Sequence, residues 1–339
     1  MSKQPDSNMI NRYDTFTQLT EVVVGAVNLS VCNIIEDHRE RDLMCNVFES
    51  IDKTLTDMVN IFEDHDVIVH RPRPITLSKT LRTPHIELPA VTNPIAPADN
   101  YLTIADTVIQ CANVNPNYYF DHEQYRHIWQ DCWQQGSRWI AMPRPLHVHD
   151  DYDHDDSVAN AEPLMDAPAV AIVGDHIFYA EDCVINAKGL QWLQQEFPDF
   201  TYQMVTGARG HLDSHFNVLR PGVVLSSVDK SKLPPQFADW QVIRFQSQDY
   251  KDIHIVSDFL QDDDWENTAL AVNCVSLNEN TVMMVDHVLD MNPQAVKQIE
   301  ACGIRIIPVS FSASRWVNQG LTCMTNCIHR IGTKQSYFG

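Results

Sequence analysis

Apolar positions recur along the chain in one order. An alternating run broken by a polar turn is followed by a stretch of helical spacing and then a short apolar run. The second occurrence is the most legible. Residues 100–111 (NYLTIADTVIQC) predict two short strands about a turn. Asp121 then opens a helix whose apolar residues are Tyr125, Ile128, Trp129, Cys132 and Trp133, at spacings of 3, 4, 7 and 8 that define one helical face. Gly136 closes it in the C′ role, and 138–142 predicts the next strand.

The same order predicts three further units. The third has a hairpin over 169–180 turning at Gly174 and Asp175, a helix over 187–197 stopped by Pro198, and a strand over 202–206. The fourth has a hairpin over 216–226 turning at Pro221 and Gly222, a poor helix near 233–239, and a strand over 240–245. The fifth has a hairpin over 270–285, a helix capped by Asn292 with Pro293 at its first position and ended by Gly303, and a strand over 304–309. The first unit is split into a strand over 21–27, a helix near 43–64 and a strand over 66–70. It lacks one strand, and the tail 326–331 (NCIHRI) is a strand without a partner. Pairing the two closes a ring of five mixed α/β units in one domain, 13–339, after a flexible segment 1–12. A doubly wound parallel sheet is the competing arrangement. It fits less well, because a hairpin precedes each helix and no Gly-rich fingerprint follows any strand.

Composition narrows the function. The 339 residues are 44% hydrophobic and 20% charged, the balance of a chain with a core. Acidic residues outnumber basic ones 45 to 24, for a net charge of −21. That excess repels phosphate backbones and anionic lipid, so neither nucleic acid nor a membrane is an expected partner. No apolar run reaches the ~20 residues of a membrane-spanning helix. The nine cysteines are an odd number scattered singly, and no apolar segment follows the N-terminus. Reduced thiols in a cytoplasmic setting are therefore expected, not a disulfide framework.

Equivalent units place the residues before each hairpin at one end of the ring axis. Those positions hold Asp99 after Ala98; Asp166 closing EPLMD at 162–166; His211 and Asp213 in GHLD at 210–213; and Cys323 closing GLTC at 320–323. Three carboxylates, an imidazole and a thiol suit a planar, cationic substrate. Carboxylates accept its N–H groups, a thiolate attacks it, and the histidine moves protons.

At these residues the chain resembles the amidinotransferases, within the guanidino-group-modifying pentein superfamily. The resemblance runs from about residue 11 to 332. It is carried by EVVVG at 21–25, RPRP at 71–74, PAD at 97–99, EPLMD at 162–166, GDHIF at 174–178, and HLD at 211–213 with Phe216 and Asn217. PGVVLS at 221–226, Val285 with Asp286, Gly303 with Ile304, and GLTC at 320–323 complete it. It implies a pentein α/β-propeller of five ββαβ-type units, catalysis without a cofactor or metal, and a homodimer. It implies Cys323 as the nucleophile that forms an amidino-cysteine from L-arginine, and His211 as the acid for departing ornithine and the base for an incoming amine. Asp166 would orient His211, and Asp99 and Asp213 would bind the guanidinium. Three departures bear on the acceptor. Lys230 stands where the glycine-accepting members carry an arginine that holds a carboxylate; a lysine offers a point charge, not a planar fork. Glu266, Asn267 and Thr268 replace a serine-containing segment, and Gly210 replaces a bulky methionine. The acceptor is glycine or another primary amine. An arginine hydrolase on the same scaffold, deiminase or dihydrolase, is the alternative; a catalytically silent pentein that binds a partner is the alternative of another class.

Other candidates carry less. Residues 147–156 (HVHDDYDHDD) offer three histidines and five aspartates but no apolar frame, the pattern of a solvated loop that could cover a channel mouth. His122 and His127 are five apart on a helix and diverge, unlike a zinc-protease pair. Cys327, with His329, has no further spaced ligands and reads as structural. Asp262, Asp263 and Asp264 read as a charged loop.

Overall fold

The computed structural model describes residues 9–75, 81–82, 87–88, 93–113, 118, 121–143, 162–180, 184–208, 210–245, 272–314 and 319–338. In chain order, β1 (Gln18–Val24) leads through a 3-10 turn (Leu29–Ile34) to α1 (His38–Glu63) and β2 (Ile68–His70). Asp37 caps α1 by accepting from the amides of Arg39 and Glu40, bonds that hold its carboxyl below the usual range. A short ribbon pairs β3 (Leu81–Arg82) with β4 (Glu87–Leu88), and one helical turn, α2 (Pro97–Asn100), follows.

The second unit is β5 (Tyr101–Ile104), β6 (Thr107–Gln110), α3 (His122–Gln134) and β7 (Arg138–Ala141). The third is β8 (Val170–Val173), β9 (His176–Ala180), α4 (Ala187–Glu196) and β10 (Thr201–Val205). The fourth is β11 (Phe216–Arg220), β12 (Val223–Ser226) and β13 (Gln241–Arg244). The fifth is β14 (Val275–Asn278), β15 (Thr281–Val285), α5 (Asp286–Met291), α6 (Pro293–Ala301) and β16 (Arg305–Val309). Last comes β17 (Thr325–Ile331), which pairs antiparallel with β1 while β1 pairs parallel with β2. Every unit thus has a three-stranded sheet with one antiparallel and one parallel pairing, and the first is completed by the tail as expected. This is the pentein architecture. The first strands of the units, β5, β8, β11, β14 and β17, all contribute to one axial cavity. The helices cover the outer strands, where α1 buries Phe48, Ile51, Leu55, Met58 and Phe62.

Local chemistry explains where the elements depart from the hydrophobic pattern. The fourth unit has no helix among its described residues; Pro234 and Pro235 leave two 3-10 turns, Lys230–Lys232 and Pro235–Phe237. In the fifth, α5 precedes the expected helix, because Pro293 cannot continue it and restarts the chain as α6. Trp133 is 57% exposed, off the buried stripe of α3. Eight residues beyond Tyr125 it has rotated ~80° from that residue, at about 100° per residue. Asp121 precedes α3 without a side-chain capping bond.

The ordered fold also begins earlier than residue 13. Ile10 is buried, the Asn11 amide donates to the Ile328 carbonyl at 3.0 Å, and Arg12 exchanges backbone bonds with Ala105 at 2.8 and 3.0 Å. Ala105 holds a positive φ of 53° at the β5–β6 turn, so this exchange braces a strained residue. At the other terminus the chain crosses the third and fourth units. Gln335 accepts from Asp175, and Phe338 packs among His176, Phe178, Phe237 and Trp240. Gly174 permits that crossing: a Cβ there would stand 2.1 Å from the Gln335 carbonyl oxygen.

Reduced thiols are expected, and one described pair departs from that. Cys32 and Cys45 form a disulfide between the 3-10 turn and α1, Cα atoms 5.8 Å apart. They stand thirteen positions apart, and the chain reversal into α1 brings them together. The other six described cysteines are free. Among the described residues, no helix is long and apolar enough to cross a membrane.

Candidate active site

Four of the pre-hairpin positions converge with the segment before β17. Asp99 ends its side chain in the α2 turn, where Pro97 sets the first helical position and the Ala98 amide donates to the Cys323 carbonyl at 3.3 Å. Asp166 precedes a 3-10 turn (Ala167–Ala169) begun by Ala167 and Pro168. His211 and Asp213 flank Leu212, which is buried and pins the turn Leu212–Ser214 to the core. Cys323 is 6% exposed, Asp99 4% and Asp166 8%.

The bonds join these side chains into two groups. His211 Nε2 lies 3.3 Å from Asp166 Oδ2, and Asn113 Nδ2 donates to the other Asp166 oxygen at 3.3 Å and to the Asp99 carbonyl at 2.6 Å. On the other side, Asp213 Oδ2 accepts from Asn273 Nδ2 at 3.0 Å and from Thr322 Oγ1 at 2.7 Å, and stands 3.8 Å from Cys323 Sγ. Asn273 Oδ1 accepts the Thr322 amide at 2.7 Å, so one side chain fixes both the carboxylate and the loop of the thiol. Tyr118 hydrogen-bonds the Asp99 carboxyl, whose buried Oδ1 has no partner.

Burial and crowding of like charge set the protonation states. Burial, then the charges of Asp213 and Asp99, push the Cys323 thiol well above its ordinary value, against bonds from the Gly320 backbone and Asn273. Burial also raises Asp99 to about 7; the charge of His211 opposes this and those of Asp166 and Asp213 add to it. Around His211, burial disfavours the imidazolium, but the Asp166 bond and the charges of Asp99, Asp166 and Asp213 prevail and raise it to about 9. At neutral pH the site therefore holds a cationic histidine and a protonated thiol. Two like charges about 4 Å apart repel by roughly 4 kcal/mol at an effective dielectric near 20, which is what a Cys323 thiolate would meet beside Asp213. A cation placed between them reverses that sign.

Lys230 is not brought into this group. It is exposed on the turn after β12, and its Nζ donates to the Trp240 carbonyl at 3.0 Å. Trp240 precedes Gln241, which pairs with Val223 at the hairpin-turn end of the fourth unit, opposite the site. The segments 147–156, 262–264 and 266–268 lie outside the described residues. Asn273, Thr322, Asn113 and Tyr118 went unread in the sequence. Asn273 carried a signal: it stands two residues before β14, as Asp99 does before β5 and Cys323 before β17. The hairpin expected over 270–285 puts it inside a strand.

No family model matches the chain. It is 28% identical over 309 residues to the mitochondrial glycine amidinotransferase of Gallus gallus, covering 84% of this chain and 70% of that protein. Among solved structures, it is similar to an amidinotransferase of Microseira wollei from the saxitoxin biosynthetic pathway. That match has a TM-score of 0.79 at 24% identity and covers 97% of this chain and 100% of the other. The inosamine-phosphate amidinotransferase of Streptomyces griseus aligns at TM-score 0.80 and 21% identity, over 97% and 99% of the two chains.

Proposed function

We propose that this chain, an enzyme of the amidinotransferase family in the pentein superfamily, moves the amidino group of L-arginine through Cys323 to a primary amine and releases ornithine. One observation carries the reading: the buried thiol lies 3.8 Å from the carboxylate of Asp213 and also feels the charge of Asp99. Such a thiol ionises only when a cation joins the carboxylates, so the substrate itself switches on the nucleophile. A planar guanidinium meets that need. Its N–H groups can satisfy Asp213 and the unpartnered Oδ1 of Asp99 in charge-assisted bonds.

The remaining groups then have roles. The Cys323 thiolate adds to the guanidinium carbon, having lost its proton to solvent. His211, cationic and held by Asp166, protonates the departing amine as its bond to the carbon breaks. Neutral His211 next takes a proton from the acceptor amine, which attacks the amidino-cysteine and returns the thiolate. Asp166 keeps the imidazole oriented through both halves. Lys230, bonded to the Trp240 carbonyl, stands outside this scheme.

The test is a product assay with L-arginine alone and with a panel of amines: glycine, lysine, ornithine, taurine and small diamines. Ornithine and a matching guanidino compound that form only when one amine is present would support the transferase and identify its acceptor. Citrulline or ammonia from arginine alone would assign a hydrolase and overturn it.

A further inference from the structure

Beneath the catalytic floor the axis is open. A cavity of about 110 Å³ runs from Asp213 and Thr322 at the site end to Arg12 and Arg330 at the hairpin-turn end. That exceeds the space one water needs several-fold. The two arginines bring positive charge to the interior of a chain whose net charge is −21. Arg330 is 4% exposed; it donates to the carbonyls of Thr17 and Ser276 and to the Cys327 thiol. Arg12 donates through Nη1 to Thr103 Oγ1 at 3.3 Å, and that is its one side-chain bond among the described residues. The Nε–H of each is buried and finds no acceptor.

Neither guanidinium has a carboxylate within ion-pair distance among the described residues. The nearest acid acting on Arg12 is Asp14, but its Oδ1 already accepts from the Phe16 and Thr17 amides and the Thr17 hydroxyl. Tyr337 also hydrogen-bonds it. The Cys327 thiol beside the arginines is kept protonated by burial. At this end of the cavity two cations, buried Arg330 and half-buried Arg12, face one acid that is already engaged, while Asp213 stands at the other end, so the positive charge is in excess here. Buried charges of one sign are normally matched by a counter-charge, and a guanidinium is weakly hydrated enough to take a soft anion.

We propose that the far end of this axial cavity is a binding site for a small monovalent anion of the halide class, held by Arg12 and Arg330. The thiol of Cys327 and the hydroxyl of Thr103 complete its polar wall. The inference does not depend on the reaction at Cys323, since the arginines lie at the opposite end of the strands.

Bromide is the probe. Crystals of the full chain soaked in sodium bromide should give an anomalous peak in contact with the Arg12 guanidinium. In solution, the melting midpoint should rise saturably with bromide at constant ionic strength, with gluconate as the balancing anion. Arg12→Gln should remove the peak and the rise together. Ordered water only at the arginines, or bromide confined to the outer surface, would overturn the proposal, and so would an Arg12→Gln response equal to that of the parent chain. Should the variant fail to fold, the anomalous map of the parent chain decides alone.

Discussion

Gly320 and Asn273 are fitted to each other across the floor of the site: a Cβ on Gly320 would stand 2.2 Å from the Asn273 side-chain amide. The absent side chain is what lets Asn273 reach Asp213 and the Thr322 amide at once. Asn273→Ala should therefore release the carboxylate beside the thiol. We expect kcat/KM for arginine to fall about 10²-fold, the scale of a misplacement near 1 Å. Gly320→Ala should produce a similar loss by displacing the same side chain. Steady-state kinetics of both variants, with circular dichroism to confirm folding, test this; full activity in either would remove Asn273 from the machinery.

On the proposed mechanism Cys323→Ala should have no measurable turnover yet still bind arginine, because Asp99 and Asp213, which would hold the guanidinium, are untouched. Calorimetric titration checks the second half. Retained turnover would dismiss the covalent route, and His211→Asn should be nearly as inactive.

The pH profile follows from two groups. On the proposed mechanism Asp99, raised to about 7, must be ionised to accept guanidinium N–H groups, so kcat/KM should fall as pH drops through about 7. By the same mechanism His211, raised to about 9, must be protonated to assist the leaving amine, so kcat/KM should fall again as pH rises through about 9. A bell with its optimum near 8 is expected. Asp99→Asn should lose the acid limb and move the alkaline one to lower pH, because the Asp99 charge helps raise His211; an unchanged acid limb would assign it elsewhere.

Phe338 closes the aromatic cluster under the third and fourth units, 5.2 Å from the Trp240 ring and 5.4 Å from that of Phe237. Phe338→Ala should cost about 2–3 kcal/mol, below the ~3–5 kcal/mol of a fully buried aromatic, because the ring is only half-buried. The urea midpoint should drop with an unchanged slope. An unaltered midpoint would mean the tail is not part of the folding unit.

Periodicity and turn chemistry carried the five units. Hairpins at Gly174 and Gly222, the stop at Pro198 and the cap-proline pair Asn292 and Pro293 are local signals, and local sterics enforce them wherever they occur. The repeat places Asp99, Asp166, His211, Asp213 and Cys323 before equivalent hairpins, and so at one end of the axis. What the sequence could not contain is distance. Asn273 gains meaning only because Gly320, 47 positions later, leaves room for it. Lys230 has a charge suited to an acceptor, but the tertiary path points it at the Trp240 carbonyl. Arg12 and Arg330, from the two ends of the chain, line one cavity. Such pairings are decided by packing between units, where side chains from distant segments compete for the same few ångströms. Local propensity determines which element forms, and closure of the ring determines which side chains touch.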